Sequence, residues 1–286
     1  MIFRGVAFGL AALCVAAGIS AAAAGECPGN PGALGTSRVL YVDPTDHPRI
    51  GSAQYRETLP LAEGEVVLTF DDGPLANSAR VLDILKAECI RATFFSVGAM
   101  ASAHPAILRR AYDEGHSIGS HSQNHPLNLS HMPPDAAWQE MQGGAASIAK
   151  ALGPSRPIAP FLRFPALNRT SDLETRAIAG GLMIWGTDIY ADDWMRITPE
   201  EVARRPLERL RQAGRGMLLM HDIQARTVAA LPQIIAGLKQ GGYKIVHVAP
   251  AGAGGAKTET AAADWHAIDR ERLGLPANMQ SASHRK

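Results

Sequence analysis

The sequence has little cysteine, few aromatic residues and almost no net charge. Of 286 residues, three are Cys, 6% are aromatic, and 28 Lys+Arg against 27 Asp+Glu leave a formal charge of +1. A near-neutral chain lacks the basic surface that a nucleic acid or an anionic membrane asks for. Beyond residues 5–24 there is no apolar run long enough to cross a bilayer. Hydrophobic residues at 46% and 19 Pro spread along the chain do not suggest disorder over most of its length. The length fits one large or two small domains, and the pattern reads as one.

Arg4 followed by the uncharged, Ala-rich run 5–24 reads as a secretory signal peptide cut near Ala24, the alternative being a membrane anchor. Cleavage removes Cys14 and leaves Cys27 and Cys89. Two thiols in an exported protein meet an oxidising compartment, but spacing alone does not pair them. A buried thiol at Cys89 is an equal reading. Export implies a periplasmic or secreted protein, with no membrane span after cleavage and no protein partner evident.

Residues 25–64 are rich in Pro and Gly, with 39–42 as the one strand-like run, and read as a leader laid across the main domain. From residue 65 short apolar runs alternate with helical patterns. The runs 66–70, 92–97, 117–120, 161–164, 182–185, 217–220 and 243–248 suit buried strands. Helices are expected over 79–88, 105–113, 135–152, 172–179, 199–212 and 228–240, with Asp135 and Thr198 as caps. Seven strands alternating with helices imply a parallel α/β sheet, barrel or doubly wound, spanning 65–250. Residues 251–286 lack periodicity and read as a mobile tail.

Functional groups of such sheets gather at the C-terminal strand ends, and polar residues cluster there. Asp71 and Asp72 follow the first core strand, ahead of the Gly73-Pro74 turn. His121 and His125 follow the third strand, four apart and so on one face of a helical turn. With a carboxylate at the neighbouring strand tip, two imidazoles make a catalytic metal site with open positions. Zn suits this donor set best, and Co or Ni would fit it. Arg163, the acids Asp188, Asp192 and Asp193 with Trp194, and His221 with Asp222 end further strands. Singly each could be structural.

In order, TFDDGP at 69–74, HSQNHP at 121–126, RFP at 163–165, DDW at 192–194 and LLMHD at 218–222 resemble the five motifs of the NodB-homology polysaccharide deacetylases, carbohydrate esterase family 4. The resemblance implies a distorted (β/α) barrel of about seven parallel strands that removes N- or O-acetyl groups from polysaccharides with a divalent metal. It implies Asp72, His121 and His125 as metal ligands and Asp71 as general base. Arg163 then orients the base, and His221 is the general acid with Asp193 as its partner. Trp194 lies on the substrate groove, and the Ala166 N–H is the candidate oxyanion donor. Two stretches depart from the family pattern. Ala166 and Leu167 stand where an aromatic and a Gly are usual, and the stretch from Asp188 to Trp194 is long.

Four functions compete. They are N-deacetylation of chitooligosaccharide or peptidoglycan, O-deacetylation of a xylan-type polymer, hydrolysis of a small amide, and sugar binding around a structural metal. A pure binder has no need of Asp71 beside Asp72, nor of His221.

Overall fold

The computed structural model describes residues 27–252. The proposed signal, 1–24, and nearly all of the 251–286 tail lie outside them. Among the described residues no helix is long and apolar enough to cross a membrane.

The leader contributes two strands, β1 (Thr36–Val42) and β2 (Arg49–Ile50). The alternating core follows as β3 (Glu65–Asp71), α1 (Ala76–Ala87), β4 (Thr93–Ser96), α2 (Gly98–Ala103), α3 (Pro105–Asp113) and β5 (Ser117–Ser120). Next come α4 (Pro134–Leu152), β6 (Phe161–Leu162), α5 (Ser171–Ala179), β7 (Met183–Trp185) and β8 (Ile189–Tyr190). The last elements are α6 (Pro199–Ala213), β9 (Gly216–His221), α7 (Ala225–Gln240) and β10 (Lys244–Pro250).

All strand pairings are parallel. The order β8-β9-β3-β4-β5-β6-β7-β2 curls around a filled interior, while β10 pairs with the start of β3 and carries β1 on its other edge. No pairing joins β2 to β8 among the described residues, so the barrel is open at that seam. The architecture is the expected parallel α/β one, with ten strands among the described residues rather than about seven. The additional three are β1, β2 and β8, of which only the first had a strand-like sequence.

Strand β3 shows how the layers form. Alternate residues point to opposite faces. Val66, Leu68 and Phe70 therefore pack outward against the helices, in one cluster with Leu82, Leu231 and Ile234. Val67 points inward to a second cluster with Phe95, Phe161, Trp185 and Met217. Thr69 and Asp71 share that inner face, and both meet Arg163.

Helix ends follow local chemistry. Thr198 and Glu201 form the expected reciprocal cap of α6, and Gly214 ends that helix in the left-handed conformation. Helix α4 starts one residue earlier than expected: Pro134 occupies its first turn, and Asp135 pairs with Arg176 instead of capping.

Besides its strand pairings, the leader is held by a disulfide and by a buried carboxylate. Cys27 and Cys89 form a disulfide with Cα atoms 5.7 Å apart. Buried Asp188 accepts from the Ser52 N–H and hydroxyl at 2.7 Å each, the Thr58 hydroxyl at 2.8 Å and the Met217 N–H at 2.8 Å. Gly51 makes this approach feasible. Its φ is +112°, and a Cβ there would stand 2.5 Å from the Thr187 nitrogen.

Candidate active site

The C-terminal ends of β3, β5, β6 and β9 open into a cleft of about 1100 Å³. Asp71, Asp72, His121, His125, Ala166, Trp194 and His221 line it. Arg163 and Asp193 stand behind it, fully buried.

Asp71 closes β3 on the inner face, and Asp72 leaves the strand with φ +81°. Two neighbouring acids thereby acquire different partners. Asp71 Oδ1 accepts from Arg163 Nη1 at 2.6 Å, and its Oδ2 lies 3.8 Å from His121 Nε2. The buried Arg163 also donates to Thr69 Oγ1 and to the Gly186 carbonyl, both at 2.9 Å, and lies 4.3 Å over the Phe95 ring. Its charge is compensated within the barrel by this set.

Asp72 Oδ1 is 3.5 Å from His121 Nε2 and 3.2 Å from His125 Nε2. The three ligand atoms lie within 4.8 Å of one another. The histidines do not share a helical turn, as their spacing suggested. They sit in a loop where Ser122 and His125 have φ of +69° and +55°. Glu140 of α4 braces this loop by accepting from the Asn124 N–H and side-chain amide at 2.9 and 2.7 Å.

His121 Nδ1 is 2.7 Å from the Arg163 carbonyl. A carbonyl only accepts, so Nδ1 carries the proton. Burial holds the ring neutral by lowering its pKa, against the pull of Asp71 and Asp72. Nε2 therefore presents a lone pair towards a carboxylate oxygen that is itself buried without a hydrogen-bond partner. Two facing lone pairs in a dry site repel unless a cation lies between them. Two imidazoles and a carboxylate suit a divalent transition metal, so the residues fit the implied ion.

Across the cleft, His221 Nδ1 is 2.7 Å from Asp193 Oδ1. Trp194 is 48% exposed and packs edge-on to Tyr190 and His221. Ala166 lies in a short turn with φ +50°, whose hydrogen bonds are donated by Leu167 and Asn168, so the turn does not use the Ala166 N–H. Asp188 has a structural task instead, the one described for the leader. Asp192 binds Arg205 and Arg209.

Sequence reasoning missed one wall of the cleft, made by Arg49, Gln54 and Tyr55 of the leader with Arg169 and Glu174. The leader has no periodicity to mark it. Asp222 was noted only as His221's neighbour. Its buried carboxyl lies against Gly73, where a Cβ would come within 2.1 Å of it.

The fold and cleft define a parallel α/β barrel with a carboxylate–histidine site at its strand ends, the arrangement of a hydrolase that activates water. Residues 59–184 match the polysaccharide deacetylase family. Over 186 residues the chain is 33% identical to a peptidoglycan-N-acetylglucosamine deacetylase of Bacillus cereus, covering 62% of this chain and 66% of that protein. A chitooligosaccharide deacetylase of a Bradyrhizobium species is 28% identical over 195 residues, 63% of this chain and 87% of the relative. Among solved structures, a Bdellovibrio bacteriovorus peptidoglycan deacetylase superposes with a TM-score of 0.67 at 30% identity, covering 78% of this chain and 61% of its own. The peptidoglycan deacetylase PdaC of Bacillus subtilis gives 0.57 at 30% identity, with 66% and 89% covered. The chain belongs to the polysaccharide deacetylase family. It spans about two thirds of the Bacillus cereus relative and 38% of a related Listeria monocytogenes peptidoglycan deacetylase.

Proposed function

We propose that this protein is an exported, metal-dependent deacetylase that hydrolyses N-acetyl groups of N-acetylglucosamine-containing glycans, peptidoglycan or chitooligosaccharide. The observation that carries the reading is the partnerless Asp72 oxygen facing the His121 and His125 nitrogens, with Asp71 beside it and His221 opposite. The names of the relatives supply the substrate class. The Cys27–Cys89 bond supports an oxidising compartment.

Asp72, His121 and His125 would hold one divalent ion, zinc for preference. When bound, such an ion supplies Lewis acidity, which polarises the acetyl carbonyl and makes water easier to deprotonate. Arg163 ties down Asp71 Oδ1, leaving Oδ2 on the cleft side to take the proton of the attacking water. The Ala166 N–H meets the oxyanion. His221, held at Nδ1 by Asp193, donates from Nε2 to the departing amine. Acetate and a free amino sugar result. Trp194 offers an aromatic face to a sugar ring.

Acetate release from acetylated chitin oligomers, with and without a chelator, tests this. Release that stops on chelation and returns with zinc is expected. No release from the metal-loaded protein would return the site to binding alone.

A further inference from the structure

The wall that sequence reasoning missed joins segments far apart in the chain. Arg49 and Tyr55 come from β2 and the turn after it, Arg169 and Glu174 from the stretch leading out of the Ala166 turn into α5. All four line the cleft. Glu174 is their one carboxylate. Its Oε1 accepts from the Tyr55 hydroxyl at 2.7 Å and Arg169 Nε at 2.8 Å, and its Oε2 from Arg49 Nε at 3.3 Å. Burial pushes the Tyr55 phenol up, so it remains a neutral donor. Two guanidinium groups against one carboxylate leave this wall with one positive charge in excess.

The two arginines are not equivalent. Arg169 is fully used: Nη1 donates to the Leu167 carbonyl at 3.0 Å, Nη2 to the Gln54 carbonyl at 3.4 Å, and its plane lies 4.7 Å over the Tyr55 ring. Arg49 has a partner only at Nε among the described residues, and its side chain is 40% exposed. A guanidinium held at Nε with both terminal nitrogens open to a cleft is organised in advance for a two-oxygen acceptor. A single excess charge matches a carboxylate better than a doubly charged phosphate. Arg169 follows Ala166 by three residues, so their Cα atoms are at most about 11 Å apart. Arg49, Arg169 and Ala166 line one cleft, so an anion on this wall is within reach of a glycan bound with its acetyl group at the site.

We propose that Arg49, braced by Glu174 and Arg169, is a specificity residue that binds a carboxylate carried by the glycan beside the acetylated sugar. The inference rests on the deacetylase reading and narrows its substrate to acidic glycans. The carboxylate has two chemical sources, an ether-linked lactyl group on the sugar or a peptide attached to that group.

Three acetylated tetrasaccharides separate the cases: neutral chitotetraose, an alternating N-acetylglucosamine–N-acetylmuramic acid strand with free lactyl groups, and the same strand with each lactyl group extended by Ala-isoglutamine. With the metal-loaded protein, kcat/KM is expected to be at least about tenfold higher on an acidic strand than on chitotetraose. In Arg49→Gln that ratio is expected to fall about tenfold or more, the worth of one charge-assisted contact. The acidic strand on which it falls identifies the source of the carboxylate. The substitution leaves the backbone pairing of Arg49 with Ile184 in place, and an unchanged melting midpoint checks the fold. A ratio unaffected on both acidic strands overturns the subsite. Calorimetric binding of the same three glycans needs no turnover: tighter binding of an acidic strand that weakens in Arg49→Gln supports the subsite, and equal affinities overturn it. If acetate is released from none of the three, the deacetylase reading fails separately.

Discussion

Asp193 grips His221 twice: Oδ1 lies 2.7 Å from Nδ1, and Oδ2 accepts the backbone N–H of the same residue at 2.7 Å. The Thr227 hydroxyl of α7 donates to that Oδ2 at 2.5 Å. The ring can neither rotate nor shift along the strand, and its remaining nitrogen is left to the cleft.

Burial works against a charge on His221, but the hydrogen bond and charge of Asp193 outweigh it and push the imidazole up to about 9. The acid form should persist through neutrality, and activity should decline as pH rises through about 9. Asp193→Asn removes the largest raising influence, while burial and the weaker pull of Asp71 and Asp72 remain. The alkaline limb of the kcat profile should then move to lower pH. His221→Gln should abolish that limb and cost an amide substrate more than an activated aryl ester. Equal losses on the two substrates would leave His221 a packing role only.

Asp71→Asn keeps the shape at the end of β3 but removes the group that takes a proton. Turnover should fall by about two to four orders of magnitude with metal content unchanged. Turnover near the parent value would assign the base elsewhere.

His125 is only partly buried and sits on a loop braced by Glu140, so His125→Ala should leave the fold intact. Metal content, read by elemental analysis, and acetate release should drop together. Full metal occupancy in the purified variant would contradict the ligand set.

Far from the cleft, His116 and His247 are buried, and burial lowers them to about 3 and about 4, with like charge from Arg91 adding to the effect. The Ala92 N–H donates to His116 Nδ1, which requires a lone pair on that nitrogen. The folded state thus binds these protons less readily than the unfolded chain, whose histidines titrate near about 6.5. Stability should be fully present above that pH and decline as pH falls towards 4. A urea midpoint that is the same at pH 7 and pH 4.5 would count against this.

Asp188→Ala leaves the Ser52 and Thr58 donors and the Met217 N–H without their acceptor. A loss of about 3 kcal/mol or more is expected from urea unfolding, since each stranded buried donor costs about 1–3 kcal/mol. Cleft function should weaken with it, because Arg49 and Tyr55 are held by the same leader. A loss below about 1 kcal/mol would show that Asp188 is not a main fastening of the leader.

Strong local signals explain what the sequence disclosed. The apolar runs of β3, β5 and β9 are bounded by turns, and each ends in acids or histidines, so the site was visible as strand tips. Three features were not visible. The two-residue strands β2 and β8 are too short to have a period and exist through their neighbours in the sheet. His121 and His125 meet through positive φ angles in a loop, which their spacing disguised as a helical turn. Asp188 looks like another strand-tip acid, and only the position of Ser52 and Thr58 in space makes it a fastening for the leader.

The pairing of β1 with β10 also bears on folding kinetics. Thr36 lies opposite Ile245 and Val42 opposite Pro250, so the first strand of the described residues has as its ladder partner their last, about 200 residues later in the chain. Contacts this distant in sequence require a large loop to close before they contribute stability, which raises contact order and slows folding. Until β10 arrives, β1 remains an unpaired edge, and the Cys27–Cys89 link keeps that edge close to α1 and β4 rather than free to pair with another chain.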